Sequence, residues 1–469
     1  MFKLQSRWVI EKNYLVYYGM RVKPYFLKNK VHVSDRVICI LNKLPKDLSN
    51  LERRVLFKLV KSNIVVSEEK YRTVPKSLNE ATFCKECVAN DFIIPGIEYN
   101  SDGLCPMCET KDEIKDFKSV LPVKNIIETN PNGKYDVAIF YTGGKDSSYL
   151  LYYLAKKLNL RVLALTWETP YMSISALASI ENAKKILKNV DFIIKKVDDN
   201  DLRKMYKKLY KLEKNNCACP SLAYILFYPL MVKEKIPYFV LGNEPVQMLN
   251  LYYNHFAPKS AYNQKTHKRL TTIINILRVI TFKRPLKQGQ FHTLMTMRQL
   301  AYGDSFLKTI SGYNNTLVTH VSESVNEFDY LLKPLKLAIK ESSKSANIPA
   351  FVHIDFNDTL GGTYNWKEVK ELITKEIGWV GPNSENKGLH TSCKIETCKE
   401  NSQFRSFYNK KSRVIPFSAI EISLASRGKE LNKEDALKEL KQHMGFSLKE
   451  VKACSLMKEY MENKKKTSE

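Results

Sequence analysis

No secretion signal opens the chain. MFKLQSRWVIEKNY breaks its apolar positions with Lys3, Arg7, Glu11 and Lys12, so no charged start leads into an apolar core. No run is long enough to span a bilayer either. The longest, LTTIINILRVITF (Leu270 to Phe282), is interrupted by Arg278 and falls short of about 20 residues. A cytoplasmic protein with no membrane partner is expected. Internal repeats and low-complexity tracts are also missing, which excludes a solenoid or an array. Acids are scarce beside bases, 49 against 75, leaving a net charge of +26. Such an excess suits polyanions such as tRNA, nucleotides or a membrane surface, and a lysine-rich proteome would give the same number.

What is present is enough for several packed cores: 469 residues, 44% hydrophobic, pointing to two to four domains. Residues 1–75 read as strands followed by small helices, a winged-helix-like recognition or docking module. In it Ser49 and Glu52 form a capping box, and Leu51, Val55, Leu56, Leu59 and Val60 fall on one helical face. Residues 80–125 hold a cysteine cluster. Over 130–250 the segments YDVAIFY, RVLALTW, VDFIIKKV and IPYFVLG alternate with amphipathic stretches, the pattern of an α/β doubly wound parallel sheet covered on both faces. Residues 251–350 read as a mostly helical basic insertion or lid, with Lys265, His267, Lys268, Arg269, Lys283 and Arg284 close together. Residues 351–469 complete the core, and NKEDALKELKQHMGF reads as a short helix capped by Asn432.

Between the first strand and its helix lies TGGKDSS. A tight turn here gathers backbone N–H groups at a helix N-terminus, where partial positive charge attracts phosphate. Gly143 and Gly144 clear the approach, Lys145 adds a point charge, and Ser147 and Ser148 add hydroxyls. The glycines touch the lysine directly, so this is no Walker loop, and G-x-G-x-x-G is absent. The next strand ends in LALTWETP, which puts Thr166, Trp167 and Glu168 at the ligand-binding edge of such a sheet.

Cys84-x-x-Cys87 and Cys105-x-x-Cys108 suit a tetrahedral Zn²⁺ in a structural zinc ribbon, with an iron–sulfur cluster as the alternative. Of the remaining cysteines, Cys217 and Cys219 precede a helix whose N-terminus would lower a thiol pKa. Cys393 and Cys398 lie in GLHTSCKIETC, and Cys39 and Cys454 sit in apolar helical patterns that suggest core positions. Non-zinc cysteines open a sulfur-carrying role, and small buried residues are the plainer reading.

TGGKDSS after a strand resembles the SGGxDS loop of the PP-loop ATP pyrophosphatase superfamily, with Thr142 for the usual serine. FIIPGIEYNSDGLCPMC, CACPS and IPYFVLGNEPVQ together resemble the N-acetyl sugar amidotransferase family. GWVGPNSENKGLHTSC and IEISLASRGKELNKEDAL also look like the ends of PP-loop relatives. The resemblance implies ATP and Mg²⁺ bound by Thr142, Gly143, Gly144, Lys145, Asp146, Ser147, Ser148, Thr166 and Gly242, with AMP and pyrophosphate released. Lys145, Asp146 and Glu244 would be catalytic, with Gln247 near the reacting centre, and Cys217 and Cys219 beside them. It further implies that an adenylated amide or acid carbonyl of a nucleotide-sugar accepts ammonia, free or from a separate glutaminase subunit. Residue 2 is phenylalanine and no G-x-C-x-G occurs, so the chain brings no glutaminase of its own. Residues 1–75 are extra to that family and resemble leader-peptide recognition domains. A peptide substrate follows from that, as does a sulfurtransferase acting on tRNA or a leader-bearing precursor. A homodimerisation or tRNA-docking module accounts for the same segment.

Overall fold

The computed structural model of the chain describes residues 1–26, 28–114, 127, 129–131, 133–213, 218–256, 263–303, 316–382 and 387–462. The N-terminal strand β1 (Phe2–Leu4) is apolar enough to be closed over by a late returning strand. Strands β2 (Trp8–Glu11), β3 (Tyr14–Tyr17) and β4 (Lys30–His32) form an antiparallel sheet, after which come helices Asp35–Leu41, Asn50–Val55 and Phe57–Lys61. β5 (Val65–Ser67) then pairs with β1. In KPYFLKNKVHV, which alternates in the β manner, only Lys30–His32 is strand among the described residues. The Ser49–Glu52 capping box forms in both directions. The helix it opens breaks at Leu56, however, and Leu51 is 61% exposed rather than on the packed face. This module is tied to the rest by buried Arg7, which donates to the carbonyls of Tyr18, Phe407 and Tyr408, and by the buried pair Arg21–Glu98.

Five parallel strands make the central sheet: β6 (Val137–Phe140), β7 (Val162–Trp167), β8 (Val190–Lys195), β9 (Tyr238–Leu241) and β10 (Ala350–Val352), in the order β10-β9-β6-β7-β8. All four expected strands form, and β10 joins them from a run of three residues, too short to stand out by periodicity. Alternation by two sorts their side chains between two cores. Val137, Ile139, Val162, Ala164, Val240 and Val352 face one. Ala138, Phe140, Leu163, Leu165 and Phe239 face the other. Helices Lys145–Tyr152, Ile174–Ile186, Trp366–Ile377 and Phe417–Gly428 cover the first face. Helices Asp199–Glu213, Ser221–Lys233, Gln290–Tyr302, Thr316–Val325 and Asp329–Ser345 cover the second, so the basic segment after residue 250 contributes a packed layer of the core. Among the described residues no helix is long and apolar enough to cross a membrane.

Candidate nucleotide-binding site

The TGGKDSS turn sits where the central strand β6 ends, directly before helix Lys145–Tyr152. Gly143 has φ 70°, and a Cβ there would lie 2.3 Å from the Ala176 carbonyl oxygen, so both conformation and space require glycine. Gly242, just beyond β9, approaches the same turn from the other side: its Cβ would stand 2.5 Å from the Ser147 nitrogen. Hydroxyls brace the turn. Ser147 Oγ accepts from the Thr142 N–H at 3.3 Å and donates to the Gly144 carbonyl at 3.2 Å. Thr166 is buried and donates to the Tyr141 carbonyl at 2.7 Å, pinning β7 to the start of the turn. Ser148 reaches the Tyr141 hydroxyl. The result is a helix N-terminus with a close-packed glycine turn, a cradle that suits an anion.

Below the turn lies a buried charge cluster. The Lys145 side chain is fully buried, and its Nζ contacts Asp146, Glu244 Oε2 at 3.2 Å and the Tyr364 hydroxyl at 3.3 Å. The rings of Tyr364 and Trp366 pack against the ammonium. Burial opposes the lysine charge, but Asp146 and Glu244 outweigh it and raise its pKa. Asp146 also accepts from the Tyr364 hydroxyl at 2.8 Å. Glu244 caps helix Pro245–Tyr253 and is wholly buried; desolvation, helped by the Asp146 charge, pushes its carboxyl up to about 8. Burial raises Glu430 well above the usual carboxylate range, with Glu244 adding to it. Glu244 Oε1 and Glu430 Oε2 are buried without a hydrogen-bond partner among the described residues. Gln247 donates its backbone N–H to the Glu244 carbonyl, one turn into the helix.

The turn is completed by side chains from the segment GWVGPNSENKGLHTSC, more than 230 residues further along the chain. Thr391 Oγ1 accepts from the Lys145 N–H at 2.9 Å, and Trp379 Nε1 donates to the Gly143 carbonyl at 3.1 Å. Ser392 packs against Gly144 and accepts from the Ser173 N–H through its carbonyl. Cys393 forms a β-bridge with Met172, in the loop after β7. The signal was in GLHTSC, a segment noted for its likeness to other chains and not for the hydroxyls it carries.

The four paired cysteines come together and are buried. Cys84 and Cys108 sulfurs are 3.7 Å apart, as are those of Cys87 and Cys105, and all four lie within 4.8 Å of one another. Among the described residues this region carries two isolated bridges, Phe83 with Asn90 and Ile97 with Met20, and a short helix, Pro106–Glu109, rather than the strands of a ribbon. Cys217 lies outside the described residues. Cys219 is exposed and Cys393 half-buried. Both thiols add to the raised pKa of the buried Tyr206 hydroxyl, behind the larger effect of burial. Cys398 and Cys454 are buried beside each other, and their contact raises the Cys398 pKa. Cys39 is exposed, contrary to its apolar pattern, because its helix turns that position to solvent.

The chain matches no family model and no curated relative. Among solved structures it is similar to the U34-tRNA thiolase NcsA from Methanococcus maripaludis with its [4Fe-4S] cluster. Identity is 16%, the match covers 56% of this chain and 86% of the other, and the TM-score is 0.23. So loose a superposition says nothing about activity. The parallel α/β sheet and its glycine turn are properties of this chain's own structure.

Proposed function

We propose that the chain is an ATP pyrophosphatase of the PP-loop type, which adenylates a carbonyl oxygen of its substrate. The observation that carries this is the double backbone approach at the turn: Gly143 against Ala176 and Gly242 against Ser147, at the end of the central strand and the start of a helix. That packing keeps side chains off the start of the helix, whose partial positive charge would meet the pyrophosphate. The substrate oxygen attacks the α-phosphorus, the bond to the β-phosphate breaks, and pyrophosphate leaves. A nucleophile then adds to the activated carbon and AMP departs with the former carbonyl oxygen.

Magnesium would be held by the phosphates and by the Asp146 carboxylate in the first turn of helix Lys145–Tyr152, where it would offset phosphate charge. Zinc fits the four cysteines: sulfurs bound tetrahedrally at about 2.3 Å stand roughly 3.8 Å apart, against 3.7 Å here. An iron–sulfur cluster would spread them by placing iron and sulfide between. No thiolate is left over for catalysis at that centre.

The nucleophile is nitrogen from ammonia, free or delivered by a glutaminase, or sulfur. Sulfur has the specific support, because Cys393 lies beside the turn and Cys219 shares the surroundings of Tyr206 with it. In that reading the terminal sulfur of a persulfide, supplied by a persulfide donor, attacks the carbon. The second thiolate then cleaves the S–S bond, and a dithiol reduces the resulting disulfide. tRNA, a peptide and a nucleotide-sugar are the acceptors to try. With α-labelled ATP and an accepted substrate, AMP and pyrophosphate are expected; ADP as product overturns adenylation. Cys219→Ala and Cys393→Ala should each abolish sulfur incorporation, whereas ammonia-dependent turnover surviving in both returns the assignment to amidotransfer.

A further inference from the structure

Glu396 and Glu400 stand one helical turn apart at the start of helix Glu396–Tyr408, a like-charged i, i+4 pair on one face. Burying such a pair is costly unless something positive lies between them. Glu400 is 2% exposed; its Oε2 accepts from the Gly445 N–H at 3.3 Å, while Oε1 has no partner among the described residues. His390 is held against both by a backbone with φ 51°, a left-handed conformation that a non-glycine residue rarely adopts. One ring nitrogen of His390 and one carboxylate oxygen each of Glu396 and Glu400 lie within 4.8 Å of one another.

The two sides of the imidazole are differently placed. Nε2 lies 3.2 Å from Glu421 Oε2, and Glu421 Oε1 accepts from the Asn250 amide at 2.8 Å. Nδ1 lies 3.8 Å from Glu396 Oε1, too long for a hydrogen bond. It is within a few tenths of the roughly 3.4 Å separating two nitrogen or oxygen ligands on one tetrahedral ion. A carboxylate near one ring nitrogen, with a second carboxylate facing the other, is how a ligating histidine is oriented. We propose that His390, Glu396 and Glu400 bind a divalent first-row metal ion, with Glu421 orienting the histidine.

The donor set of one imidazole and two carboxylates suits Mn²⁺, Fe²⁺ or Zn²⁺, and it contains no thiolate, unlike the cysteine centre. Lys399, 2.8 Å from Glu396, balances part of the carboxylate charge, and the charge of Lys387 also bears on it. His390 directly precedes Thr391, whose hydroxyl holds the Lys145 N–H, so the ion would fix the segment that closes over the glycine turn.

The test is Mn²⁺ binding to the full-length, nucleotide-free protein, followed by electron paramagnetic resonance. One Mn²⁺ per chain is expected, with a histidine nitrogen coupling in the spin-echo spectrum. His390→Asn and Glu400→Gln should each lose it, and Glu421→Gln should weaken it about 10- to 100-fold. Asp146→Asn should bind as the wild type does, which separates this site from the nucleotide site, and the nitrogen coupling, which four thiolates cannot give, separates it from the cysteine centre. Unchanged uptake in His390→Asn and Glu400→Gln overturns the proposal. So does a wild-type protein that takes up no Mn²⁺ at millimolar concentration, or bound Mn²⁺ without nitrogen coupling, neither of which depends on a variant folding.

Discussion

Lys145 reads in sequence as a point charge for phosphate, and in the structure its ammonium is sealed beneath the turn by two carboxylates and two rings. Burial, helped by the Asp146 charge, keeps the proton on Glu244, with a pKa raised from 4.5 to about 8. Between those values the folded chain holds a proton the unfolded chain has lost, so this group stabilises fully below about 4.5 and its contribution drains away as pH rises towards 8. Urea midpoints measured from pH 5 to 8 should therefore fall in the wild type and fall less steeply in Glu244→Gln. Some slope will remain, because burial also pushes Glu400 up to about 7. An equally steep decline in both proteins would show that Glu244 ionises normally. The identities of Lys145 and Glu244 were legible at once; their pairing was not, since 99 residues separate them and only the sheet brings β9 beside β6.

Elements were most legible where packing repeats. The central strands β6 and β7 announce themselves because they are buried on both faces, which demands unbroken apolar runs, while β8 at the edge keeps Asp191 exposed. The helix after Ser49 was drawn too long, because a break at Leu56 changes hydrogen bonding without disturbing the apolar spacing. The bracing role of Leu389–Lys394 is illegible for a different reason: it is an irregular segment held by hydrogen bonds to Tyr171, Ser173 and Lys145 that have no periodicity. Thr391→Val leaves the Lys145 N–H buried without its acceptor, a loss of about 1–3 kcal/mol. Chemical denaturation should show that loss for valine and little for Thr391→Ser, and under the proposed function KM for ATP should rise with it. Equal stability of the two variants would mean that Thr391 does not hold the turn.

At the scale of the molecule, the cysteine centre is a joint. Lys433 donates to the carbonyls of Cys84 and Lys85, and Arg427 to that of Met107, fastening residues 84–108 to the C-terminal helices. Glu98 in the same region receives Arg21 from the N-terminal module. Under the proposed zinc assignment, removing the ion should therefore lower the thermal midpoint of the whole chain, not merely loosen one loop. Differential scanning calorimetry of Cys84→Ser, or of the wild type after strong chelation, checks this; an undisturbed main transition would mean that the centre is peripheral. The net charge of +26 also acquires a place here. Lys283, Arg298, Lys333, Lys336, Lys340 and Lys344 line a cavity of about 800 Å³ on the helical layer, a concentration of charge that composition alone could not locate.

By itself the sequence determined the parallel α/β core, the glycine turn at the end of its first strand and the four-cysteine set, because each is written in short-range spacing: apolar runs, adjacent glycines, paired C-x-x-C. Tertiary structure alone decided that Lys145 is buried between carboxylates, that Thr391 and Trp379 close the turn, and that His390 meets Glu396 and Glu400. Those contacts depend on where a parallel sheet sets down chain segments up to 246 residues apart, and on how much water is left around them when it does.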